Sequence, residues 1–68
     1  MKGSVSYGRG NSDACFVEWY RCHEGETERT FCFGSRAECE ALAEGPPPAS
    51  CQWHPIEFQV QHVYPKIA

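Results

Sequence analysis

No long apolar run interrupts this sequence: the longest reach three or four residues, against the ~20 needed for a membrane-spanning helix, so no membrane partner is expected. Basic clusters are missing too. Lys2, Arg9, Arg21, Arg29, Arg36 and Lys66 are scattered among nine acidic residues for a net charge of −3. Nucleic-acid binding needs a contiguous basic patch, so no nucleic-acid partner is expected either. No two cysteines have the two- to four-residue gap of a zinc knuckle or the close pairing of a thioredoxin-like redox site. Gly8-Arg9-Gly10 lacks the lysine and following helix of a phosphate loop, and no serine sits in a nucleophile elbow. Nor does an apolar segment of secretory type follow Met1-Lys2-Gly3-Ser4. Location therefore hangs on the thiols: extracytoplasmic if the cysteines are oxidised, cytoplasmic if Met1 is the native start.

What the chain has is cysteine, five in 68 residues, and 13% aromatics. Scaling relations give a single domain of this mass a folded surface of roughly 4,300 Å² against roughly 11,000 Å² unfolded. Burying about 4,000 Å² of apolar surface contributes on the order of 100 kcal/mol at ~25 cal/mol per Å². Ordering the chain costs about the same at ~1.5 kcal/mol per residue. Crosslinks, a metal or a second copy must tip that balance.

The clearest signal is Thr30–Ala43. Thr30–Phe33 is short, β-branched and aromatic, and Gly34 ends it. Ser35 and Glu38 form a capping box. A helical pattern follows over 36–44, with Cys39, Leu42 and Ala43 on one face, until Gly45 and Pro46–Pro48 stop it. The triple proline reads as a stiff spacer.

Before this element, residues 1–13 hold three glycines and two isolated apolar side chains, Val5 and Tyr7. They read as a flexible N-terminal arm, with a short edge strand as the second choice, ahead of a single domain over 14–68. Ala14–Cys22 is dense in sheet formers. Cys15, Val17, Trp19 and Arg21 share one face, and Phe16, Glu18, Tyr20 and Cys22 the other. A charged loop, His23–Arg29, turns the chain at Glu24-Gly25 or Gly25-Glu26, which places Cys22 roughly level with Cys32. The last element is Cys51–Tyr64, with a bulge or strand start at Pro55. Within it Ile56–Tyr64 alternates almost throughout, with Ile56, Phe58, Val60, His62 and Tyr64 on one side, and reads as a long strand with one wet face. The expected fold is cysteine-rich α+β, in β-β-α-β order: a three-stranded antiparallel sheet with one helix on one face.

Four cysteines, Cys22, Cys32, Cys39 and Cys51, fall near the hairpin, the helix and the last strand, and Cys15 lies toward the arm. Two disulfides with Cys15 as the free thiol are expected, and Cys22–Cys39 with Cys32–Cys51 ties helix to sheet best among three possible connectivities. The alternatives are a reduced cytosolic domain whose thiols are simply small buried hydrophobes, and a structural zinc held by Cys22, Cys32, Cys39 and Cys51, with His54 or His23 able to replace one; otherwise no cofactor is implied. Catalysis is not expected, because Cys22 and His23 are strand neighbours and point to opposite faces.

The sequence thus points to a small non-catalytic protein-interaction or regulatory module on a cysteine-stapled scaffold. The aromatics Trp19, Trp53, Tyr20, Phe31 and Phe33 read first as core and otherwise as an exposed patch. The candidate interaction surface is Trp19, Tyr20, Trp53, Phe58, Val60 and Tyr64, since Trp and Tyr give large contact area at low entropic cost. A homodimer through Ile56–Tyr64 is one form of it. A further alternative is a small secreted effector or inhibitor that turns an acidic loop, Glu24, Glu26 and Glu28, toward a basic target.

Overall fold

A computed structural model describes residues 1–8 and 11–62, with 11–13 as backbone alone. Its frame is a hairpin. Strand β2, Asn11–His23, turns at Glu24-Gly25 into strand β3, Glu26–Gly34. Both turn residues have positive φ, 52° and 80°, which is the two-residue turn whose twist matches a hairpin. That turn fixes the register: Cys22 lies opposite Thr27, Val17 opposite Cys32 and Cys15 opposite Gly34.

Strand β1, Ser4–Gly8, pairs antiparallel with β2, with Val5 opposite Val17 and Tyr7 opposite Cys15. The expected arm is therefore partly an edge strand, and the sheet has four strands in the order β1-β2-β3-β4 where three were expected. Considered alone, 1–13 buries too little to order itself. Laid along β2, Ser4–Gly8 gains ladder hydrogen bonds and seats Val5 against the core, while residues 11–13 already belong to β2. Gly3 anchors it: its amide donates to the Ala43 carbonyl at 2.9 Å. A Cβ there would stand 2.7 Å from Trp19 Cε2 and run into Val17, so this close approach requires glycine.

Helix α1, Arg36–Leu42, begins as the capping box predicts. The Ser35 hydroxyl accepts from the Glu38 amide at 3.4 Å, and Glu38 Oε1 accepts from the Ser35 amide at 2.8 Å. The latter bond holds the Glu38 carboxyl below its ordinary range. α1 lies over one face of the sheet. Between them Cys15, Val17, Trp19, Cys32 and Cys39 form the buried core, with Val5, Leu42, Ala43, Cys51 and Trp53 packed around it. The Trp19 indole donates to Gly45 O at 2.9 Å, and the buried Thr30 hydroxyl donates to Gln52 O at 2.6 Å.

The last strand differs most from expectation. β4 is three residues, Trp53–Pro55, paired with Glu28–Thr30 of β3. Continued in register, Ile56 would meet Thr27 and Glu57 would meet Glu26, after which the hairpin turn ends the template. Like charges directly opposite on a sheet are destabilising. The chain turns instead, Phe58 N bonding Pro55 O at 3.0 Å, and forms a 3-10 turn at Val60–His62. Alternation over 56–62 is thus not used as a strand, and residues 63–64 of that run lie outside the described residues. Among the described residues no helix is long and apolar enough to cross a membrane.

Candidate functional site

Two disulfides hold this frame. Cys32 is joined to Cys51 (Cα–Cα 6.0 Å) and Cys15 to Cys39 (Cα–Cα 6.5 Å), while Cys22 is exposed and free. The expected partner of Cys39 was Cys22, with Cys15 spare. The two-residue turn reverses those roles. It places Cys22 five positions, or about 17 Å along the strand, from the level of Cys32. Cys15 sits opposite Gly34, where β3 passes into the cap of α1, and on the face that α1 covers. The zinc alternative loses its ligands in the same way. Cys32, Cys39 and Cys51 are spent in disulfides, and Cys22 and His54 do not converge with them. Among the described residues no group of three or more Cys, His, Asp or Glu is gathered as a metal site would need.

The strand parity of β2 now has a direction. Cys15, Val17 and Trp19 meet the helix, and Phe16, Glu18, Tyr20 and Cys22 lie on the helix-free face. Trp19, expected at the interaction surface, is therefore a core residue, 1% exposed. Trp53 is half-buried on the helix side, with the Arg21 guanidinium 4.2 Å above its ring. Arg21 also holds Glu28 at 2.8 Å, so of the acidic loop Glu28 is tied down while Glu24 and Glu26 are exposed. Tyr20 is 48% exposed, and Phe58 and Val60 are half-buried. Tyr64 lies outside the described residues.

On the helix-free face the sheet gathers aromatics from three strands. Phe16 meets Phe31 edge-on at 5.9 Å and Phe33 at 6.2 Å. Phe31 continues to His54 at 6.3 Å, and His54 stacks on Phe58 at 4.0 Å with rings 8° from parallel. His62, expected on the buried side of a strand, is exposed and closes the row at 5.1 Å from Phe58. Such pairs contribute beyond the area they bury.

A polar cluster pins this row to the sheet. The Arg29 guanidinium lies 4.9 Å from the Phe31 ring, reaches Glu18 at 3.2 Å and donates through both Nε and Nη2 to the Phe58 carbonyl. Arg29 thus ties the segment after β4 to the middle of the sheet. The Tyr20 hydroxyl donates to Glu18 Oε1 at 2.7 Å, and that bond to a carboxylate raises the phenol's pKa above its ordinary 10.0.

Phe16 and His54 were not expected here, and Phe31 and Phe33 were weighed as core or patch without being placed on this face. A signal for them existed. Once the turn is set at Glu24-Gly25, parity places Phe31 opposite Glu18 and Phe33 opposite Phe16, on the same face as Tyr20. Among the described residues no cleft or cavity opens beside this face. In comparisons with known proteins, the chain matches no family model, no curated protein and no solved structure.

Proposed function

We propose that this chain is a non-catalytic protein-interaction domain. Its disulfides hold the sheet rigid, and its helix-free face seats an apolar segment of a protein partner. The observation that carries this reading is the aromatic row on the face opposite α1. There Phe33 and Tyr20 stand 37% and 48% exposed beside Phe16 and the buried Phe31. Aromatic anchors ringed by a charged pair, here Glu18 with Arg29, have the composition of binding hot spots. The geometry also supplies rigidity, which cuts the ordering cost of binding. Two disulfides in so small a domain favour an oxidising compartment, so the proposal places the domain outside the cytoplasm. A non-catalytic role accords with Cys22 and His23, neighbours on β2 that point to opposite faces.

A displayed library of linear peptides, selected on the folded chain, tests it. The selected binders are expected to lose about tenfold or more in affinity to variants Phe33→Ser and Tyr20→Ser, with both disulfides and the circular dichroism unchanged. Binders that ignore both substitutions, but fail when Glu24 and Glu26 are reversed to lysine, would overturn the proposal in favour of the acidic hairpin.

A further inference from the structure

The two edges of the sheet are built differently. At one, β4 is three residues long, ends in Pro55 and is followed at once by a turn. Short edge strands and proline are the usual guards against pairing with another chain. At the other edge, Ser4-Val5-Ser6-Tyr7 carries no proline and no charge, and among the described residues no strand lies outside it. The ladder with β2 is regular through Tyr7 and becomes irregular only between Tyr7 and Gly8. Among the described residues, an uncharged template of four residues is left open.

Its surroundings say what fits it. On the helix side, Val5 packs against the core and Tyr7 is 43% exposed, with the Arg36 guanidinium 5.2 Å from the Tyr7 ring and Glu40 holding the Tyr7 hydroxyl at 3.3 Å. α1 runs antiparallel to β1. Its Arg36 end lies at Tyr7, and beyond its other end Ala43 bonds Gly3 and Glu44 meets Lys2 at 3.6 Å.

We propose that a second copy of this chain pairs with β1 antiparallel, across a twofold axis at Ser6, joining two four-stranded sheets edge to edge. In that register both helices lie on the same side. Val5 of each copy faces Tyr7 of the other, an aromatic–β-branched pair of the kind that stabilises antiparallel neighbours, made twice by symmetry. The same rotation brings the Arg36 end of one helix toward the Glu44 end of the other. Arg36 and Glu44 are both well exposed, with side-chain values of 58% and 74%. An unrelated strand could use the backbone edge but would not supply these reciprocal contacts. Four residues of edge bury less than a standard interface, so the dimer is a weak one. The pairing is independent of the aromatic face, and either can hold without the other.

The test uses the full chain in a Cys22→Ser background, so that a disulfide between exposed thiols cannot mimic association. Sedimentation equilibrium from about 10 μM to about 1 mM is expected to show the monomer giving way to a dimer, since at millimolar concentration even weak pairing is populated. Ser6→Lys and Ser6→Glu, each placing like charges on the twofold axis, should each weaken association at least tenfold. Mixed in equal amounts they should restore it as a heterodimer, which a folding defect would not do. A chain still monomeric at the highest concentration overturns the proposal. So does a dimer indifferent to both Ser6 variants, or one abolished by Tyr20→Ser in their place, which would move the interface to the aromatic face.

Discussion

Removing the Cys15–Cys39 disulfide should be the most damaging small change to this domain. The pair closes a loop with a sequence separation of 24, and Cys32–Cys51 one of 19. In the chain-entropy description these are worth about 3.4 and about 3.2 kcal/mol at 25 °C. By loop length alone the two are equals, and burial separates them. Cys15 and Cys39 are 1% and 0% exposed, at the centre of the core, whereas Cys51 is half-buried at its rim. Cys15→Ala with Cys39→Ala therefore leaves a void beside Val17 and Trp19 as well as a looser unfolded chain. At about 2 kcal/mol per molar guanidinium chloride, 3.4 kcal/mol lowers the unfolding midpoint by about 1.7 M. Fluorescence of the buried Trp19 follows the transition. Cys22→Ser, an exposed site on the far face, should change stability by no more than about 0.5 kcal/mol. The opposite pattern, with a large loss for Cys22→Ser and little for Cys15→Ala alone, would refute the pairing and restore the one that sequence spacing suggested.

Three further perturbations probe other parts of the fold. Gly3→Ala should cost roughly 1–3 kcal/mol by forcing a methyl group against Trp19 and Val17, seen as faster amide exchange across β1. Ser35→Ala removes the helix cap and should cost about 1 kcal/mol. An acid limb in stability should survive it, because the amide that alanine retains at this position is the main group holding the Glu38 carboxyl below its ordinary 4.5 in the folded chain. The capping contribution is fully present above that value and fades as pH falls through the lower folded one, so urea midpoints from pH 6 down to acid conditions in both proteins check the sign. Glu24→Asn should stabilise by a few tenths of a kcal/mol, since asparagine tolerates the positive φ that glutamate holds there, and thermal melts at neutral pH would show it.

How much of this was legible in the sequence depends on how local each signal was. The capped helix was, because Ser35 and Glu38 satisfy one another within a single turn and need nothing from the rest of the chain. Strand β2 and its alternation were, because nine consecutive sheet-forming residues leave few other options. β1 was legible only as the second choice: Val5 and Tyr7 alternate, but the composition argues for disorder when considered alone, and its order comes from β2 and from the fit of Gly3 over Trp19. Of the two expected crosslinks Cys32–Cys51 is present, and the partner of Cys39 was misassigned through one undecided turn. Glu24-Gly25 and Gly25-Glu26 were both open, yet choosing the first fixes the whole β2–β3 register and moves Cys15 beside the helix. The run after Pro55 failed for a different reason. Alternation is a property of the strand alone, whereas a strand also needs a neighbour long enough to hold it, and β3 had two residues left to offer. The interaction face inherited both errors, so Trp19 was carried into the candidate surface while Phe16 and His54 were left out of it.

The two crosslinked loops interlock, since one runs from Cys15 to Cys39 and the other from Cys32 to Cys51. Any single peptide bond hydrolysed between Cys15 and Cys51 therefore leaves the fragments covalently attached. A protease that opens the exposed Glu24-Gly25 tip would produce a two-chain molecule, heavier by one water and still held in register by the untouched pairs of β2 and β3. The hairpin tip is thus a place where new sequence can be spliced in, or the termini relocated, without the molecule coming apart.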